Sequence, residues 1–188
     1  MSLDRASRRR IEELVRPLHA GLDGVDGWPA VVRRLELARG LLAGVEHDAV
    51  RLELLVLFHD AVDGLGGLGE RSRLHLFLRS LGLAEDEIDQ LKRSLRRVAK
   101  GPREPEERAV HDALLLGRSG VRGLLDRLFE AARKRRDPLK AVGALDPGPD
   151  PERCATVEGA RLAAERRKES ERWLAELRQR LNAETDGG

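Results

Sequence analysis

The stretch over residues 54–62 constrains the fold more than any other part of the chain. Five large apolar residues run without interruption into a histidine and an aspartate, His59 and Asp60. Asp48 is a favourable N-cap, so the sequence predicts a helix over residues 49–62. The second half of this helix is apolar on almost every side. A helix of that kind lies at the centre of a helical bundle rather than on a surface.

Helical periodicity continues along most of the chain. Apolar residues recur at intervals of three and four, turns rich in glycine and proline separate the segments, and no segment alternates as a strand does. We expect an all-α fold, a compact single-domain helical bundle of about eight helices. This domain would span residues 1–188. Besides 49–62, the predicted helices cover residues 4–18, 29–44, 70–81, 84–99, 106–116, 121–134 and 157–181, and residues 146–155 form a loop.

The charge balance excludes some classes of function. The 188 residues include 35 Lys and Arg against 33 Asp and Glu, a formal net charge of +2. Such a balance is typical of solvated helix faces with paired charges, so we expect no nucleic-acid interface. The basic segment 133–136 leaves a DNA-binding role open as a weaker alternative, which would require steeply salt-dependent binding.

Membrane-spanning and targeting segments, and the number of cysteines, limit the class of protein further. No apolar run is long enough to cross a membrane and the chain does not begin with a signal-peptide pattern, so we expect a soluble cytoplasmic protein. Cys154 is the single cysteine. It excludes an intramolecular disulfide and a cysteine-based zinc site.

The His59–Asp60 pair is the first candidate for chemistry. A carboxylate at the end of a buried helix is costly unless something pairs with it. One interpretation is that His59 and Asp60 hydrogen-bond loop backbone where the helix reaches the surface. The other is that imidazole nitrogen and carboxylate oxygen together hold a divalent metal ion.

In its order of motifs the chain resembles the HD superfamily of metal-dependent phosphohydrolases. That family has a histidine on an early helix, an adjacent His-Asp pair, and an aspartate some tens of residues later. His59 and Asp60 match the pair, and Asp112, followed by Leu114, matches the later aspartate. The resemblance covers residues 8–182 and implies that His59, Asp60 and Asp112 bind a divalent metal ion.

One position departs from the family pattern. The spacing to Arg33, Arg34 and Ala38 places the family's first histidine at Ala30, which cannot ligate a metal. Other histidines are available as substitutes, although each is more often an ordinary surface or capping residue. They are His19, His47, His75 and His111, the last of which is adjacent to Asp112.

The resemblance also implies a reaction and a ligand. A metal ion held by His59, Asp60 and Asp112 would lower the pKa of a bound water and neutralise charge on a phosphate. Asp63 would orient the attacking water, or it simply hydrogen-bonds the turn that contains Gly64, Gly66 and Gly67. Arg33, Arg34 and Lys100 are candidate contacts to the phosphate of a nucleotide or another small phosphorylated ligand.

Two hypotheses follow from these features. The first is a metal-dependent phosphohydrolase, which Ala30 argues against because the loss of a ligand weakens a metal site. The second is a catalytically inactive HD-fold pseudoenzyme that serves as a ligand-binding or regulatory module. We expect the side chains of His59, Asp60 and Asp112 to converge, whether they bind a metal ion or pin α-helices together. We also expect Ala30 to lie beside them, with a gap where the family's imidazole would be.

Overall fold

A computed structural model describes residues 4–19, 27–135 and 137–186, and the part of the chain that it describes is helical without strands. The predicted all-α fold is confirmed. The described residues form nine α-helices. They are α1 Arg5–Val15, α2 Trp28–Leu41, α3 Ala49–His59, α4 Arg73–Ser80, α5 Glu85–Val98, α6 Pro105–Gly117, α7 Gly120–Arg133, α8 Pro138–Gly143 and α9 Val157–Asp186.

The chain divides into two compact units, Met1–Ala113 and Leu114–Gly188. In the first unit, α3 packs against α2 and α5, and α4 packs against α5. In the second, α9 packs against α7 and α8. Whether the two units form the single domain expected from the sequence stays a prediction. Within the described residues, every helix is too short or too polar to cross a membrane.

The central element of the first unit is α3. Asp48 caps it, because its side chain accepts hydrogen bonds from the backbone amides of Val50 and Arg51. Every residue of the apolar run 54–58 is buried. The helix ends at His59, three residues earlier than predicted, because the chain turns at Ala61 and enters a short 3₁₀ segment, Asp63–Leu65.

Buried charges connect the beginning of α3 to α5 and α6. The side chain of Glu107 is fully buried and accepts hydrogen bonds from Arg51 and Arg97. Glu106 accepts from the backbone amide of Asp48 at 2.7 Å. These contacts fix the first turn of α6, the helix that carries Asp112.

Candidate functional site

The candidate site lies at the C-terminal end of α3. His59 is the last residue of this helix and Asp60 is its C-cap. The apolar face of α3 is buried as far as Phe58, so the next two residues come at the point where the helix leaves the core. The side chain of Asp60 is 31% exposed and that of His59 is 22% exposed. Both groups therefore lie at the boundary between core and solvent.

Asp60 is held by two donors from the protein. Arg34, on α2, forms an ion pair with Oδ2 of Asp60. His59 donates from Nδ1 to Oδ1 at 2.8 Å. Partial burial would raise the pKa of Asp60, but the hydrogen bond from His59 and the charge of Arg34 outweigh it and hold this pKa well below its usual range.

Arg34 is an unusual member of this cluster because it is buried. Its side chain is only 9% exposed. Nη1 contacts Asp60 and Nε donates to the carbonyl oxygen of Ala30 at 3.4 Å. The remaining nitrogen, Nη2, is buried and has no hydrogen-bond partner among the described residues. A buried donor without an acceptor costs about 1–3 kcal/mol.

Ala30 lies on the same face of α2 as Arg34, one turn earlier, and is itself buried. The side chain that reaches Asp60 from this face of α2 is therefore an arginine. Ala30 itself has no side-chain group that could bind a metal ion.

Asp112 is fully buried on α6. Its neighbour His111 donates from Nδ1 to the carbonyl oxygen of Val98 at 2.8 Å, which ties α6 to the end of α5. In residues 4–19, 27–135 and 137–186, no three His, Cys, Asp or Glu side chains are placed to hold a metal ion together. His59, Asp60 and Asp112 are among the residues covered. A metal bound by all three would need these side chains to rearrange, so their role as ligands stays a prediction.

The residues present at Asp60 do not fit a divalent ion. Both carboxylate oxygens already accept from Arg34 and His59. A divalent ion bound to Asp60 at about 5 Å from the guanidinium would be repelled by roughly 7 kcal/mol at an effective dielectric constant of about 20. The resemblance seen in the sequence implies a further ligand at position 30, which Ala30 cannot supply.

The other histidines have contacts of their own. His19 packs near Trp28, with ring centroids 6.4 Å apart. The Nδ1 atom of His47 lies 2.7 Å from the carbonyl oxygen of Val45. His75 is buried between α4 and α5, where its Nδ1 lies 2.7 Å from Nζ of Lys92. None of them completes a group of three metal-binding side chains in the described part of the chain.

The remaining predicted site residues lie in exposed or half-buried places. Asp63 is exposed in the turn after α3, where its carbonyl oxygen accepts from the amide of Gly66. Lys100 is exposed just after α5, and Arg33 is half-buried on α2. Arg136, in the basic segment, lies outside the described residues. The roles of Asp63, Arg33 and Lys100 stay predictions.

Sequence reasoning named Arg34 as a phosphate contact but missed it as the partner of Asp60. One signal was present, because Ala30 and Arg34 are four residues apart and must share a helix face. The side chains of residue 30, the position assigned to the family's histidine, and of Arg34 must therefore project from the same side of the helix. The spacing of residues along one helix does not show which of several arginines reaches the carboxylate of Asp60.

Solved structures with this fold exist. A structural genomics target from Lactobacillus plantarum has a TM-score of 0.73 at 16% identity, covering 97% of this chain and 100% of that one. Bacillus subtilis YpgQ in complex with ADP has a TM-score of 0.64 at 18% identity, covering 91% and 96%. YpgQ in a further structure has a TM-score of 0.61 at 14% identity, covering 93% and 96%.

No protein-family model and no curated protein sequence matches the chain. At such low identities, the likeness to the Lactobacillus plantarum protein and to YpgQ concerns the fold. The chain thus shares an all-α fold with these two bacterial proteins over nearly its whole length.

Proposed function

We propose that this chain is a ligand-binding protein of HD-like fold that holds a phosphorylated small molecule, such as a nucleotide, without a metal ion. In this function the positive charge at the site comes from Arg34. The protein corresponds to the catalytically inactive, HD-fold alternative predicted from the sequence.

The observation that carries the proposal is the buried donor Nη2 of Arg34. Native proteins rarely leave such a group without an acceptor. A phosphate oxygen is a strong acceptor, and arginine binds phosphate through paired N–H groups. A ligand oxygen bonded to Nη2 would remove the cost of the unpaired donor.

ADP is the first ligand to try. YpgQ, which has a similar fold, was crystallised with ADP. Arg33 and Lys100, the other candidate phosphate contacts, add positive charge from α2 and from the end of α5. The central contact remains Arg34, because it alone of the three is buried.

A metal-dependent phosphohydrolase is the second candidate. It is favoured by the adjacent position of His59 and Asp60 at the end of a buried helix and by the buried carboxylate of Asp112. In that case Asp63 would orient the attacking water. Arg34 would then have to leave Asp60 when the metal binds.

Isothermal titration calorimetry of ADP into the protein in EDTA tests the proposal. We expect saturable binding that added manganese does not strengthen. Arg34→Gln should weaken binding by about 1.5–3 kcal/mol, roughly 10- to 150-fold, because it removes hydrogen bonds to a charged group.

Arg96→Gln is the matched control, because it removes the same charge from an exposed position on α5. It should leave ADP binding unchanged. Absence of binding in EDTA, together with phosphate release from ADP in manganese that His59→Ala abolishes, would favour the phosphohydrolase instead.

A further inference from the structure

The cation that neutralises Asp60 belongs to the protein itself. The Arg34 side chain is 9% exposed and its guanidinium contacts one oxygen of the carboxylate. His59 donates to the other oxygen at 2.8 Å. Both oxygens of Asp60 are thus engaged, and the positive charge beside them is covalently fixed to α2.

Residue 30 lies beside this contact. Ala30 and Arg34 share one face of α2, and Nε of Arg34 lies 3.4 Å from the carbonyl oxygen of Ala30. Ala30 is 5% exposed, so its methyl group is packed inside the protein. An imidazole at position 30 would project from the same face along which the arginine side chain runs. This face can therefore bring one positive group to Asp60, either the guanidinium or a metal ion held by an imidazole.

We propose that Arg34 takes the place of a divalent metal ion at Asp60, and that Ala30 and Arg34 together form this replacement. The double substitution Ala30→His/Arg34→Ala therefore creates a transition-metal site. In this variant the imidazole at position 30, the imidazole of His59 and the carboxylate of Asp60 supply three ligands. Such a set suits first-row divalent ions. The inference concerns the metal and does not depend on which anionic ligand the protein binds.

Cobalt titration, followed by visible absorption, tests the exchange on the full chain. The double variant Ala30→His/Arg34→Ala should bind Co²⁺ about tenfold or more tightly than the wild-type protein, since a missing ligand or supporting group commonly costs 10- to 100-fold in affinity. Ala30→His alone should not gain this affinity, because the guanidinium remains at Asp60.

The matched control is the double variant Ala30→His/Arg33→Ala, in which Arg34 is unchanged. It introduces the same imidazole and removes one neighbouring arginine, but it keeps the contact to Asp60. An equal gain of cobalt affinity in this control would overturn the inference, because Arg34 would not be the group that excludes the ion. A folded Ala30→His/Arg34→Ala variant without any gain would overturn it as well.

Circular dichroism establishes whether each variant folds. Should the double variant not fold, the wild-type protein still decides the matter. In its NMR spectrum the imidazole signals of His59 should not shift when Zn²⁺ is added in slight excess. A saturable zinc-dependent shift of these signals would mean that the ion and Arg34 coexist, and the replacement would be refuted.

Discussion

At the scale of single residues, the charge of Asp60 depends on Arg34. Burial opposes the charged form of this carboxylate, and the neighbouring donors restore it. Because the pKa of Asp60 is lower in the folded protein than in the unfolded chain, its ion pair with Arg34 stabilises the fold at pH values above the unfolded-state pKa of Asp60. This stabilisation is lost as the pH falls through the folded-state pKa of Asp60.

Replacing Arg34 should raise the pKa of Asp60. In Arg34→Gln the positive charge is gone while burial remains, so the carboxylate should titrate at higher pH than in the wild-type protein. Carbon-13 NMR of the aspartate carboxyl signals measures this directly. Arg96→Gln should leave the value where it is, and an unchanged pKa in Arg34→Gln would mean that the ion pair does not form in solution.

Arg34 also shows which features of the candidate site can be predicted from the sequence and which cannot. The His-Asp pair, its place at the end of a buried helix and the alanine at position 30 are all readable from residue spacing. The partner of Asp60 is not, because it depends on how α2 packs against α3. Spacing along one helix defines a face, whereas a contact between two helices requires their relative placement.

At the scale of elements, the turn that follows α3 depends on two glycines. Gly66 and Gly67 have φ values of +81° and +80°. An L-residue pays roughly 1–2 kcal/mol for this left-handed backbone conformation. The glycines therefore allow the chain to turn at the end of the 3₁₀ segment Asp63–Leu65, which follows α3.

Gly67→Ala should lower the free energy of unfolding by about 1–2 kcal/mol. A Cβ at Gly67 would meet no atom within 4 Å, so the cost is backbone strain alone. Urea denaturation measures it. Gly69→Ala is the matched control, because it lies in the same turn, has open space and lacks a positive φ. Equal free energies of unfolding for Gly67→Ala and Gly69→Ala would mean that a side chain at position 67 causes no backbone strain.

The ends of helices were harder to predict than their existence. The α-helical part of α1 stops at Val15, and residues 16–19 continue as a 3₁₀ segment around Pro17, which lacks an N–H for the helix. α8 was missed, although Asp137 caps it and Pro138 occupies its first turn. These two residues are a helix-start signal, but the segment that follows is too short to show periodicity.

At the scale of the whole molecule, the buried carboxylate of Glu107 links stability to pH. Burial would raise its pKa, but hydrogen bonds from Arg97 and from the backbone of Arg103 lower it from 4.5 to about 2. The folded state therefore gains stability above pH 4.5 and loses it as the pH falls towards 2.

Glu107→Gln should lower the free energy of unfolding near neutral pH by about 3 kcal/mol, because it leaves Arg51 and Arg97 without their buried partner. The loss of stability between pH 5 and pH 2 should also be smaller than in the wild-type protein, on the order of the linkage expected for one depressed carboxyl group. Urea denaturation across this pH range measures both effects. Parallel pH profiles for the two proteins would contradict the assigned role of Glu107.

The all-α class was predictable because periodicity is repeated in nearly every segment. The division into units Met1–Ala113 and Leu114–Gly188 was not, since α6 runs without a break across the boundary. No linker of unusual composition marks this point. Domain organisation depends on which helices pack together, and the apolar stripes of individual helices do not specify their partners.

The metal content of the wild-type protein tests the replacement of the metal by Arg34 most directly. The protein would be dialysed against manganese, iron, cobalt, nickel and zinc, beside a His59→Ala control, and measured by mass spectrometry. With Arg34 at Asp60, neither protein should retain more than trace metal. A stoichiometric amount of metal in the wild-type protein that is lost in His59→Ala would contradict the replacement and favour a metal-dependent phosphohydrolase.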